Sequence, residues 1–465
     1  MKTTLRTFTA VILVMAPVCL FAQFTKLYDF SQQSGREPYG SLILDESDQV
    51  LYGLTYEGGA NDDGTLFKYD LASEVYTRLV DFDTPDGTKP RGSLLKVGSR
   101  LFGMTSDGGP NGVGTIFKVF TDGSDFHMMF PFETSGTGET PFGSLILIGD
   151  LLYGMTYDGG ANGHGTIFWI DTNATNFSVI HEFTGDDGSG PYGELFYDGY
   201  YLYGMTKYGG TGNFGVIFKL NISSLGYTKL LDFDWTDMGG YPDGSLTLYN
   251  GDLYGMTSTG GAHSDGTIFK KTTSGSGFTK IFDFQGSVSG EAPWGSLVYY
   301  NGFLYGQAGG NGTLHNGSLF RILPDGSNFT TLYAFTDPLN GKDTRGTPVV
   351  TPTFDGAILY GMMQTGGTND YGVIFRYFDL WEGIGSAHGD QQVSVFPNPA
   401  KDVLHVRASV PVTEVTVCGL LGNEVYRTAC DAREISVPVS NLSSGLYIVK
   451  IKGNDFSLTE KFIRE

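Results

Sequence analysis

The sequence predicts an all-β fold: a seven-bladed β-propeller closed by an N-terminal strand, followed by a small C-terminal β-sandwich domain. Three observations carry this expectation. A phrase of the form Leu-Tyr-Gly-Met-Thr, followed by a Gly-Gly pair, recurs with its first glycine at Gly53, Gly103, Gly154, Gly204, Gly255, Gly306 and Gly361. The spacings are 50, 51, 50, 51, 51 and 55, a period that marks solenoids and propellers. The 69 glycines disfavour a helical protein, because helix interiors exclude glycine, and 14% aromatic residues are too many for a disordered chain. Each repeat also holds four short runs that suit strands.

The chain opens with a secretory leader over residues 1–22. Lys2 and Arg6 form its basic start, Ala10 to Phe21 its apolar stretch, and Ala22 is the small residue before a cut at Gln23. The apolar stretch is too short to span a bilayer. A lipid anchor at Cys19 is disfavoured by the bulk of Val18. No other stretch is long and apolar enough to cross a membrane, so the mature chain is expected to be soluble and monomeric.

Residues 23–380 form the repeat domain. In the third unit the four runs are Gly143 to Ile148, Leu152 to Thr156, Gly165 to Ile170 and Phe177 to Phe183. Their β-branched and aromatic residues, bounded by Gly, Asp, Asn or Pro, predict strands. Polar turns such as Tyr249-Asn250-Gly251 join the first run to the second as hairpins. The fourth-run motif begins at Phe24 to Phe30, before the first complete unit, and has no copy after Gly372. Pairing Phe24 to Phe30 into the last unit closes a ring and hides two sheet edges.

The repeat unit resembles the GloVer-type tandem-repeat proteins over about residues 24–380. That resemblance implies export and life at or beyond the cell surface, and no established chemistry.

Residues 381–392 form a glycine-rich linker, and residues 393–465 a tail of different composition. The tail holds eight basic and eight acidic residues; with Lys2 and Arg6 in the leader, 19 basic against 42 acidic residues remain in 23–392, a net charge of −23. Alternating runs at Val403 to Arg407, Glu414 to Val417, Glu424 to Arg427, Glu434 to Val437, Leu446 to Ile451 and Thr459 to Ile463 predict the sandwich. The tail resembles the type A C-terminal sorting domain of the type IX (Por) secretion system of Bacteroidota. The matching positions include Pro397, Asn398, Pro399, Gly422, Gly445, Tyr447 and Lys461. The resemblance implies the secretion machinery as partner, passage across the outer membrane of a Gram-negative cell, removal of the tail, and release or surface attachment. Cys418 and Cys430 are left as either a disulfide or a pair of thiols.

The acidity excludes ordinary binding to nucleic acid, which needs a basic footprint. The seven histidines are scattered, and no metal or cofactor site is expected. The match Gly210-x-Gly212-x-x-Gly215 lies in a repeated hairpin and opens no helix, so it reads as a turn. Loops such as Gly58 to Gly64 look faintly like calcium loops, but Asn, Asp and Gly serve turns directly.

Topology directs attention to one face. In a four-stranded blade the fourth-to-first connections lie nearest the channel. They share the form Pro-X-Gly-Ser-Leu, and X changes: Tyr39, Arg91, Phe142, Tyr192, Asp243, Trp294 and Arg345. Four aromatics, two arginines and one aspartate around a channel mouth make a candidate carbohydrate- or peptide-binding surface, since rings pack on sugar C–H faces and charged groups bond hydroxyls. The alternative is that these residues only pack and plug the mouth. The net acidity favours a neutral glycan. An enzymatic alternative uses Glu194, which replaces the repeated serine, with Asp243 as a general acid–base pair acting on glycan. A structural surface component is the third possibility.

Overall fold

The computed structural model describes residues 23–310, 316–353, 356–380, 393–397, 399–419, 422–454 and 457–464. The expected leader, its Ala22 cleavage position, the linker and Asn398 lie outside these. The chain is all-β, with helical turns only at Gly286–Ser289 and Pro338–Asn340 among the described residues.

Repeats become antiparallel sheets of four consecutive strands. In the third unit these are Ile146–Ile148, Leu151–Thr156, Thr166–Asp171 and Phe177–Glu182, paired in that order. Five more units repeat the pattern, the fourth with an added short strand at Ser189–Pro191. The last unit supplies Val349–Pro352, Gly356–Met363 and Val373–Leu380. Its fourth strand is Phe24–Asp29, which runs antiparallel to Val373–Leu380.

The borrowed strand does the same work as its counterparts. Elsewhere the acid that ends the fourth strand caps the Gly-Gly loop: Ala60 N donates to Asp81 Oδ1 at 2.8 Å and Ala262 N to Asp283 Oδ1 at 2.8 Å. In the last sheet Thr368 N donates to Asp29 Oδ1 at 3.0 Å. The loop asparagine likewise donates to the following backbone, from Asn61 to Phe82 O and from Asn369 to Phe30 O. The loop side chains that looked faintly calcium-like are thus used in holding the turn, and no cluster of metal-ligating groups is found among the described residues.

The first run is shorter than expected, three residues instead of six in the third unit. Gly143 and Ser144 do not join the ladder because their backbone is turned toward the neighbouring unit. A Cβ on Gly143 would run into the carbonyl oxygen of Gly193.

The core lies between neighbouring sheets. Val50, Tyr52, Leu54 and Leu66 of the first sheet pack with Leu94, Leu101, Phe117 and Val119 of the second. Ile358, Tyr360, Met362 and Ile374 of the last sheet pack in the same way with Leu42, Leu51, Phe67 and Tyr69 of the first. At each such contact a phenylalanine at the end of one fourth strand meets, edge to face, a third-strand phenylalanine of the next sheet: Phe82 with Phe117 at 5.1 Å, Phe183 with Phe218 at 5.4 Å, and Phe30 with Phe67 at 5.4 Å. Such pairs contribute roughly 0.5–1.5 kcal/mol beyond area burial.

The glycine at the centre of each phrase is explained by the same phenylalanines. Gly154 pairs in register with Phe168, and Gly53 with Phe67. The ring folds back over its partner glycine, so a Cβ on Gly154 would lie 2.6 Å from Phe168 Cζ.

The tail departs from the two-sheet sandwich of six runs. The runs at 403–407 and 414–417 are one strand, Val403–Cys418, and those at 424–427 and 434–437 are another, Glu424–Pro438. With Val393–Phe396, Gly445–Gly453 and Ser457–Arg464 they form one hydrogen-bonded five-stranded sheet. Register shifts between Arg407 and Glu414 bend the long strands, as bulges do. The break in alternation that suggested separate strands marks this bend. Leu404, Val406, Val415, Val437, Val449 and Phe462 fill the core inside it. Gly422 and Gly445 take positive φ, and Tyr447 Oη donates to Ser443 O at 3.0 Å. Cys418 and Cys430 are free thiols, and Cys430 Sγ donates to Val412 O.

The Gly154→Ala substitution is expected to overpack the third sheet and cost about 1–3 kcal/mol in urea unfolding. An unchanged midpoint would show that Phe168 can swing aside freely.

Candidate functional site

The seven X residues meet around one opening. Tyr39, Arg91, Phe142, Tyr192, Asp243, Trp294 and Arg345 line a single cavity with the Gly-Ser backbones that follow them. The reason is local. In each Pro-X-Gly-Ser segment the glycine is backed against the next unit: Gly40 on the carbonyl of Gly92, Gly92 on Gly143, and so on through Gly346, which meets Gly40. No side chain fits at those glycines, so the residue before each is turned into the opening.

The following serine links the units by hydrogen bonds. Ser41 N donates to Ser93 Oγ at 2.8 Å and Ser93 N to Ser144 Oγ at 2.8 Å. Glu194 N donates to Ser245 Oγ, Ser245 N to Ser296 Oγ and Ser296 N to Thr347 Oγ1. Thr347 N donates to Ser41 Oγ at 2.8 Å. One link in this belt is missing, between Ser144 and Glu194, because glutamate brings no hydroxyl to that position.

Glu194 projects into the lumen. Its surface is open to that space, yet protein walls surround it, so its carboxyl is poorly hydrated and burial pushes its pKa up to about 7. No neighbouring charge contributes to this shift. Asp243 is not its partner. It is 2% exposed and ion-paired with Lys207 at 2.8 Å, so its carboxylate is already neutralised.

The aromatic faces are also engaged. Arg91 sits over Tyr56 at 4.7 Å and Phe142 at 4.4 Å, and donates to Tyr56 Oη at 3.1 Å. Arg345 lies over Trp294 at 4.3 Å and donates from Nε to Gln364 Oε1 at 3.0 Å. Phe142 and Tyr192 pack together at 5.1 Å, with Tyr157 against Phe142 at 4.6 Å. The rings that composition offered as stacking platforms therefore hold guanidinium groups and each other. Free space in the mouth is small, about 70 Å³, room for a few waters or one polar group. Below the belt the lumen widens to about 390 Å³, lined by Leu42, Leu94, Leu246 and Leu297 among others.

Tyr56, Tyr157, Lys207 and Gln364 were missed by the sequence reading. They share a signal: each follows the second-strand phrase immediately, and that position varies from unit to unit as X does. The sixth unit has Gly309 there, and Trp294 occupies the space, its Cζ3 lying against the glycine.

Comparison with known proteins bears on the whole chain. The Gloeobacter/Verrucomicrobia repeat family matches residues 19–151, 137–288 and 251–380. The secretion system C-terminal sorting domain matches residues 394–465. No curated protein matches significantly. Among solved structures, the chain is similar to PorZ, an essential bacterial surface component of the type-IX secretion system of Porphyromonas gingivalis. Identity is 15% and the TM-score 0.49, over 94% of this chain and 60% of that one. It is also similar to the extracellular domain of BT4673 from B. thetaiotaomicron, at 14% identity and TM-score 0.49, over 95% of this chain and 57% of that one. The chain thus spans about 60% of the length of these two structures.

The belt generates a prediction with a pH sign. The folded pKa of Glu194 lies above its ordinary value, so the folded state holds the proton more tightly and loses stability as pH rises from about 4.5 to about 7. Glu194→Ser removes that loss and supplies the hydroxyl that Ser144 N lacks. The melting temperature of the variant is expected to exceed the parent's by more at pH 8 than at pH 5. An equal gain at both pH values would mean the carboxyl is fully hydrated.

Proposed function

The chain belongs to the Gloeobacter/Verrucomicrobia repeat family, and on that premise we propose a closed seven-bladed propeller that binds an extracellular ligand at its axial mouth without catalysis. Its sorting tail directs export by the type IX secretion system to the cell surface or the medium. The organisation we propose is a leader over 1–22, the propeller over 23–380, a linker over 381–392 and the sorting domain over 393–465.

Closure is supported by contacts that run from the last unit to the first. The strand Phe24–Asp29 pairs with Val373–Leu380, Gly346 meets Gly40, and Thr347 donates to Ser41. Deleting Phe24 to Phe30 would bare the edge of Val373–Leu380 and remove Phe30 from the core. Aggregation or a lowered melting temperature is expected. A monomeric elution profile with unchanged melting would argue for an open array.

Binding at the mouth is carried by one observation: the position that differs from repeat to repeat is the one that all units bring to the opening. Invariant packing alone would not need five residue types at seven equivalent positions. The enzymatic alternative has support in the near-neutral Glu194, but Asp243, its intended partner, is committed to Lys207. An array of extracellular glycans and peptides tests the proposal. Trp294→Ala releases Arg345 as well as the ring, and a loss of roughly tenfold is expected for any ligand held at the mouth, from a contact of about 1 kcal/mol or more. Array hits that bind the variant as well as the parent would place recognition elsewhere.

A further inference from the structure

We propose that the mouth recognises a carboxylate, and that the ligand is an acidic glycan whose terminal uronate enters end-on between Arg91 and Arg345. This rests on the binding reading above and adds the charge class of the ligand. It departs from the neutral glycan that net acidity suggested.

Of the other five arginines in the repeats, four are matched with acids, while Arg376 lies over Phe378. Arg36 pairs with Glu57, Arg78 with Asp81 at 3.1 Å, Arg100 with Asp125 at 2.8 Å and Arg321 with Asp379 at 2.6 Å. Arg91 and Arg345 have no acid partner among the described residues, though they sit in a region where acids outnumber bases about twofold. Both flank one ring, with their guanidinium carbons 5.0 and 5.3 Å from the centre of Tyr39. The Nε of Arg91 is buried and has no hydrogen-bond partner, so the protein does not saturate this guanidinium.

The nearby acids do not cancel this charge. Asp243 is buried and paired with Lys207. Glu194, on the belt, lines the same cavity, and burial raises its pKa to about 7, so it can hold a proton beside an entering carboxylate. The net charge of the chain acts over distances that physiological salt screens beyond roughly 8 Å. What a ligand meets at the mouth is two guanidinium forks, suited to a planar carboxylate. Their packing against rings holds them in place, so binding orders little that is not already ordered.

The belt favours a sugar acid over an acidic peptide. Each belt hydroxyl, of Ser41, Ser93, Ser144, Ser245, Ser296 and Thr347, accepts a backbone N–H and keeps its proton to donate. A uronate carries hydroxylated carbons beside its carboxylate and can accept these bonds. Aspartate and glutamate side chains offer only methylenes there. The small free volume admits a chain end and excludes a strand threaded through.

The test titrates the full chain with D-glucuronate and with D-glucose, read by ligand-observed NMR. Binding of glucuronate without glucose is expected, weakened tenfold or more by Arg91→Gln and by Arg345→Gln, and weakened by added salt. Arg345→Lys, which keeps the charge and loses the fork, should fall between, with melting curves verifying that each variant folds. Arg100→Gln, far from the mouth and paired with Asp125, should bind as the parent does. Equal binding of glucose, no binding of glucuronate, or an Arg345→Gln variant that binds undiminished would overturn the proposal. So would an acidic peptide that displaces glucuronate at lower concentration. A neutral array ligand lost on Trp294→Ala would leave mouth binding standing and overturn the carboxylate alone.

Discussion

The contact on which the rest of the repeat region depends is the approach of each innermost glycine to the carbonyl of the next unit. At Gly40, Gly92, Gly143, Gly193, Gly244, Gly295 and Gly346 there is no room for a side chain. That approach sets the distance between units and so places the following hydroxyl within reach of the neighbouring amide. It also leaves the preceding residue one direction to point. Packing between sheets follows, since the phenylalanine pairs at 5.1–5.4 Å can form only when neighbouring units stand at that spacing. Structural constraint and variability therefore occupy adjacent positions in the chain, Gly for the first and X for the second.

Electrostatics at the mouth illustrate how far a bulk property is from a local one. A formal net charge of −21 describes the chain as a long-range object. The charged groups around the opening are the guanidiniums of Arg91 and Arg345, the pair Lys207 and Asp243 that cancels itself, and Glu194, whose ionisation burial disfavours. The rings counted as surfaces for sugar instead hold the arginines in place. An aromatic residue in such a site can act through the orientation of a neighbour as much as through its own face.

Much of this was legible in the sequence. Gly-Gly loops, the strand phrase and the orphan Phe24 to Phe30 motif carry their meaning locally, because strand period, turn chemistry and repeat count all act on neighbours in the chain. The meeting of Tyr39, Arg91 and Trp294 at one opening was legible for the same reason, since equivalent positions in equivalent units share a place. What escaped was contact between units. Nothing near Asp243 in the sequence says that Lys207, one repeat earlier, will neutralise it, and Tyr56 lies 35 residues from the Arg91 it bonds. The tail misled in the opposite sense: a bend at residues 407–414 breaks the alternation without ending the strand, so one long element read as two.

The pairing of Phe24–Asp29 with Val373–Leu380 has a kinetic consequence. Asp29 accepts its bond from Thr368, 339 residues away, so this sheet carries a very high contact order, and long loops must close before it can form. Each of the other sheets can assemble from some fifty consecutive residues as they become available. The last can pair its three consecutive strands locally, but it cannot be completed until the whole array exists. A chain cut short at any repeat would leave Phe24–Asp29 without its partner and an unpaired edge exposed. Completion of this sheet thus acts as a length check, distinguishing a finished molecule from a truncated one by whether its two ends have found each other.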